Sequence, residues 1–143
     1  DPDKKMLELN TFENKVLGIA ENLPFEDNSF DNVFCSFVWR NVSDTNRALD
    51  EIFRVLRPGG KFVLLDMTRP KNSFLKLLHK IGTFILLHLI GLLTFNLKEY
   101  RFLYKSLDFY PQPENHLKKE KFIDLKMERM GLFNFVYMAI FTK

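Results

Sequence analysis

Residues 54–67 read Arg54-Val55-Leu56-Arg57-Pro58-Gly59-Gly60-Lys61-Phe62-Val63-Leu64-Leu65-Asp66-Met67, and they decide the fold. Upstream, Ala48, Leu49, Ile52, Phe53 and Leu56 recur at the 3–4 spacing of one buried helical stripe, with Ser43 or Asp44 available as N-cap. Pro58-Gly59-Gly60 is read as stopping that helix and turning the chain. Residues 61–67 then form a strand. Residues 30–38, before the helix, are apolar at almost every position after Asn32, a pattern that indicates a strand buried on both faces. Strand, helix and strand joined by a tight glycine turn make a βαβ crossover, so the fold class is α/β with a mostly parallel sheet flanked by helices.

Working outward, residues 4–12 carry a short helical pattern, residues 15–20 read as a further buried strand, and residues 21–29 form a polar loop around Pro24. Residues 74–95 are strongly apolar. Their uncharged part, 81–95, falls short of the roughly 20 residues a membrane span needs, so a buried helix or a lid over an apolar pocket is expected. Helical stretches are expected at 98–107 and 114–130, separated by Pro111 and Pro113, with a final strand at 135–142 after Gly131.

The chain has 143 residues, enough for a single domain (1–143) with one core. Sixteen Phe require the core or a binding surface to absorb much aromatic area. A net charge of +3 without a basic stripe excludes an obvious nucleic-acid surface. Lys118, Lys119 and Lys121 read as a solvated helix face with weak attraction for anionic lipid. A single cysteine, Cys35, precludes an internal disulfide, fits a reducing and hence cytoplasmic setting, and reads as a small buried hydrophobe. His, Cys and acid spacings match no metal site; His79 and His88 do not share one helix face.

Three blocks resemble a known family. Ala20-Glu21-Asn22-Leu23-Pro24-Phe25-Glu26-Asp27-Asn28-Ser29-Phe30-Asp31 is similar to a loop of many S-adenosylmethionine (SAM)-dependent methyltransferases, and Arg54–Gly60 to the segment leading into their fifth strand. Ser36-Phe37-Val38-Trp39-Arg40-Asn41-Val42-Ser43-Asp44 resembles the C-methyltransferases of ubiquinone and menaquinone biosynthesis, as do Tyr100, Leu103, Ser106 and Pro111. The resemblance implies a Rossmann-like methyltransferase fold, with 71–110 as a helical substrate lid. It also implies SAM as cofactor and S-adenosylhomocysteine as product.

Position by position, the resemblance places Asp1 at the acid that bonds the SAM ribose; as a helix N-cap it would have a structural role instead. Ile19 and Ala20 match the adenine edge, although Asp or Asn is usual where Ile19 stands, and Ser36 matches a cofactor-side serine. Arg40 is the candidate catalytic residue, a permanent cation able to stabilise a phenolate; the alternative is a salt bridge to the loop around Asp44. Asn41, Tyr100 and Tyr104 are expected in the acceptor pocket, the two tyrosines being equally suited to the core. Val38 and Trp39 replace a usual Gly and Leu and are expected to narrow the mouth of the cofactor site.

The family's opening strand and Gly-rich turn are absent, so residues before Asp1 are expected, and the domain reads as truncated at its N-terminus. The end after Gly131 looks short, as if one strand had been deleted. The expected activity is methyl transfer to a lipophilic acceptor such as a demethylmenaquinone-like ring. A membrane surface and a homodimer partner remain open, as do a non-catalytic methyltransferase-like binding protein and action on another small molecule.

Overall fold

A computed structural model describes residues 1–110, 112–117 and 120–143; Pro111, Lys118 and Lys119 lie outside the described residues. Helix α1 (Lys4–Leu9) precedes a long extended segment, strand β1 (Phe30–Ser36) and a 3-10 turn (Trp39–Asn41). Helix α2 (Thr45–Val55) leads into β2 (Leu56–Met67), followed by α3 (Ser73–Leu93), α4 (Leu97–Phe109) and the short α5 (Pro113–His116). Strands β3 (Asp124–Met130) and β4 (Val136–Thr142) close the chain.

The sheet order is β1-β2-β4-β3. β1 and β2 are parallel and joined through α2, the crossover expected from the sequence, whereas β4 is antiparallel to both β2 and β3. One core lies between α2 and the sheet. Ala48, Leu49 and Ile52 from α2 meet Phe62, Leu64, Ala139 and Phe141 from β2 and β4, with Trp39 fully buried against Phe62. Asp44 caps α2 by accepting from the Arg47 N–H at 3.0 Å, one of the two caps expected.

Several expectations are corrected. Pro58-Gly59-Gly60 does not end the helix: α2 stops at Val55 and the three residues form a bulged start to β2, between the pairings Phe30 with Leu56 and Asn32 with Lys61. Gly60 is required there because a Cβ would sit 2.8 Å from the Arg57 carbonyl and 2.9 Å from that of Asp31. Residues 15–20 form no strand, having only an isolated bridge from Ile19 to Asn22, because among the described residues no strand lies beside them. β1 is not buried on both faces: among the described residues its outer edge has no strand partner, and Phe34 is 74% exposed.

Residues 124–130 are a strand, not part of a helix. Leu, Lys, Met, Glu and Arg all favour helices, but their period-two alternation fits the ladder with β4, and tertiary pairing overrides propensity. Two strands, β3 and β4, therefore pair at this end of the sheet, where the sequence pattern predicts one. Finally, α3 is not buried. It is 21 residues long, its most apolar 18-residue window has a mean hydropathy of 1.5, it is long and apolar enough on length and composition to cross a membrane, and only 11% of that window is covered.

Candidate functional site

The polar loop 21–29 is fixed to α2 by charge. Glu21 accepts from the backbone N–H groups of Ser43 (2.9 Å) and Asp44 (3.2 Å), while Arg47 donates to the Glu21 carbonyl. Burial works against ionisation of Glu21, but backbone hydrogen bonds outweigh it and hold its carboxyl below the usual range. Further along, Arg54 donates to the carbonyls of Leu23 and Phe25 and to Asp27 and Glu51, and Arg57 grips both oxygens of Asp31 at 2.8 Å. The two motifs thus serve as halves of one brace that shapes the edge of a groove.

That groove has a volume of about 670 Å³ and is lined by Asp1, Ile19, Ala20, Val38, Asn41 and Arg47, among others. Three of the four expected cofactor contacts therefore converge. Ser36, the fourth, lies exposed at the end of β1 and is not among the lining residues. The helix cap is Asp3, which accepts from Lys5 and Met6; Asp1 instead accepts from the Asp3 N–H at 2.8 Å. Val38 lines the groove mouth, but Trp39 is turned entirely into the core and does not narrow it.

A second recess of about 330 Å³ is lined by Arg40, Asn41, Phe102, Ser106 and Tyr110, so Asn41 borders both spaces. The chain reaches this point through Phe37, whose left-handed backbone (φ 56°) is costly for a bulky residue and redirects it from β1 into the 3-10 turn. Asp66, fully buried on β2, bonds Arg40 through Nη1 (2.5 Å) and the backbone N–H (3.1 Å). Arg40 Nε donates to Ser106 Oγ at 3.2 Å, and Nη1 also donates to the Phe37 carbonyl at 3.0 Å. The alternative salt bridge from Arg40 to the loop around Asp44 is not the one formed: Arg40 pairs with Asp66 on β2. Since Asp66 offsets its charge, Arg40 can act on a ligand mainly through a directed hydrogen bond.

Burial pushes the Tyr110 hydroxyl above the usual phenol range, so it stays neutral. Burial, then Asp66, raises the Cys35 thiol to about 11, which fits its expected inert role. Tyr100 and Tyr104 face α3: Tyr100 packs at Gly91, and Tyr104 lies under Arg69 (4.9 Å) and edge-on to Phe84. The recess takes Phe102 and Ser106 from α4 instead. Sequence reasoning missed Asp66, Phe102 and Tyr110; the signal for Asp66 was a lone acid at the end of an apolar strand, which must find a partner. No cluster of three or more potential metal ligands occurs among the described residues.

A model of the ubiE/COQ5 methyltransferase family matches residues 4–137. The chain belongs to that family. Over 114 residues it is 40% identical to the ubiquinone/menaquinone biosynthesis C-methyltransferase UbiE of Rickettsia felis, covering 78% of this chain and 46% of the relative. The UbiE of Rickettsia bellii is 41% identical over the same shares. The chain thus spans about half the length of these curated relatives, at 46%. A SAM-dependent methyltransferase of Thermotoga maritima, described as a possible histamine N-methyltransferase, superposes with a TM-score of 0.67 at 21% identity, covering 100% of this chain and 71% of that one. A putative methyltransferase from an antibiotic biosynthesis pathway of Anabaena variabilis gives 0.61 at 21% identity, covering 91% and 47%. Both structures share the Rossmann-like methyltransferase fold with this ubiE/COQ5 family member.

Proposed function

We propose that this chain provides the acceptor side and part of the cofactor side of a SAM-dependent C-methyltransferase acting on a lipophilic phenol or quinol ring. The observation that carries the reading is the meeting of two spaces at Asn41, one lined by Asp1, Ile19 and Ala20, the other by Arg40 and Ser106. The chemistry of the first fits the adenosine part of SAM: Asp1 offers carboxylate oxygens for a ribose diol, and Met6, Ile19 and Val38 offer an apolar wall for adenine. When bound, SAM supplies an electrophilic methyl carbon.

The chain's own residues then orient the acceptor. Arg40, held by Asp66 and Ser106, directs a hydrogen bond to the phenolic oxygen and so favours the electron-rich ring. Asn41 aligns it towards the neighbouring groove, and Phe102 provides an apolar wall. With the donor bound, Arg40 and Asn41 would hold the acceptor ring carbon towards the methyl group, whose sulfur–carbon bond would break as the carbon–carbon bond forms, the ring proton being lost to solvent. The α3–α4 hairpin acts as the lid of this recess.

Transfer of tritiated methyl from SAM to a demethylmenaquinol in detergent tests the reading. Arg40→Lys should lower kcat while leaving S-adenosylhomocysteine affinity unchanged; a parallel fall in both would remove Arg40 from the acceptor side. Aliphatic Ile19, which cannot accept a hydrogen bond from an adenine amino group, favours a second reading, a methyltransferase-like binding protein without turnover. Saturable acceptor binding without methyl transfer would select it.

A further inference from the structure

The α3–α4 hairpin carries a continuous apolar stripe that the rest of the chain leaves bare. Phe74, Leu78, Ile81, Ile85, Leu89 and Leu92 recur at steps of three and four residues, and each is between 46% and 72% exposed. Phe95, at the foot of the hairpin, is 95% exposed. A patch of this kind marks an interaction surface.

The opposite side of α3 is tied to the domain by polar groups. Arg69, 1% exposed, donates to Thr83 Oγ1 at 2.8 Å and Asp108 Oδ1 at 2.9 Å and stands 3.2 Å from His79 Nδ1. Lys80 approaches Asp108 at 3.2 Å. Withdrawing α3 to span a bilayer would strand a buried guanidinium and its partners. The helix therefore stays docked and offers only its outer stripe.

Charge selects what covers that stripe. Residues 71–105 hold six cations, Lys71, Lys76, Lys80, Lys98, Arg101 and Lys105, against one acid, Glu99. Lys71 and Lys80 are paired, with Glu114 and Asp108, but among the described residues the other four have no ion-pair partner. Lys98, Arg101 and Lys105 follow a three-four spacing, so they form a basic edge along α4 beside Phe102. An apolar stripe flanked by unneutralised cations matches the interface of an anionic bilayer, where acyl chains take the stripe and phosphates the cations.

We infer that the α3–α4 hairpin lies flat in the headgroup region of an anionic membrane. Phe102, 60% exposed, also lines the Arg40 recess, which gives a lipid-borne acceptor a route from the bilayer to Arg40. That route rests on the acceptor reading proposed above; the docking itself does not.

Flotation with vesicles of equal parts phosphatidylglycerol and phosphatidylcholine, against phosphatidylcholine alone, tests the docking. Binding to the mixed vesicles should exceed binding to the neutral ones. The double substitution Ile81→Gln/Ile85→Gln should weaken binding to the mixed vesicles by roughly tenfold or more. Lys98→Gln/Arg101→Gln/Lys105→Gln should weaken it roughly a hundredfold, with little effect on neutral vesicles. In the unaltered protein, radical footprinting should show vesicle-dependent shielding within residues 74–95, a readout independent of how the variants fold. Equal or absent binding to the two vesicles, or shielding elsewhere, overturns the inference. Resistance to alkaline carbonate extraction would instead show a span. A dimer that dissociates in the Ile81/Ile85 variant while vesicle binding persists would show a second copy on the stripe; either result also overturns it. Flotation needs no methyl transfer, so a chain that docks but does not methylate removes the acceptor reading alone.

Discussion

Arg40 and Asp66 meet in a buried ion pair that joins the turn after β1 to the end of β2, with Nη1 2.5 Å from Oδ1. Removing one partner leaves the other charged and desolvated. Arg40→Ala should destabilise the fold by about 3 kcal/mol, and Arg40→Leu/Asp66→Leu should recover most of that loss. Urea denaturation of both variants checks this, and a double variant weaker than the single one would contradict it.

Phe62 stands at the centre of the core, fully buried, with its ring centroid 5.6 Å from that of Trp39 and 5.4 Å from that of Phe141. Phe62→Ala should cost about 3–5 kcal/mol by lost burial and a residual cavity. The midpoint of chemical denaturation measures it; a loss under about 1 kcal/mol would mean the sheet and α2 do not pack as described.

Hydrogen bonding from Arg129 holds the Glu114 carboxyl well below its ordinary 4.5, at about 2. Because the folded pKa is depressed, the resulting stability is complete above about 4.5 and is lost as pH falls towards 2. Arg129→Gln should flatten the decline of stability across that window. An unchanged slope would place the acid sensitivity elsewhere.

Arg54 holds the carbonyls of Leu23 and Phe25 and the carboxylate of Asp27. Arg54→Ala should speed proteolytic cutting within residues 21–29 while leaving α2 intact by circular dichroism. Unaltered cleavage would show that Glu21 and Arg57 brace the loop without it.

Much of this architecture was legible in the chain itself. The β1–α2–β2 crossover followed from the 3–4 stripe of α2 and the apolar runs beside it, and Asp44 was readable as a cap. The strand at Asp124–Met130 was hidden because its residue types favour helix, and only pairing with β4 makes it extended. Residues 15–20 carry strand composition, but composition cannot show that no neighbour lies beside them. Of the residues expected at the cofactor, Asp1, Ile19 and Ala20 line one groove, and Asn41, expected at the acceptor, borders that groove and the Arg40 recess; Tyr100 and Tyr104 face α3, because periodicity shows spacing, not which face meets the recess. Asp66 and Tyr110 join Arg40 only through folding.

The central claim is that the groove lined by Asp1, Ile19 and Asn41 holds the methyl donor, and calorimetric titration of the protein with S-adenosylhomocysteine tests it most directly. Saturable binding is predicted, weakened by Asp1→Ala through loss of the ribose acceptor. Ile19→Asp should strengthen it by roughly two- to tenfold by supplying a hydrogen-bond acceptor for the adenine amino group. No saturable binding, or binding indifferent to both substitutions, would contradict the account.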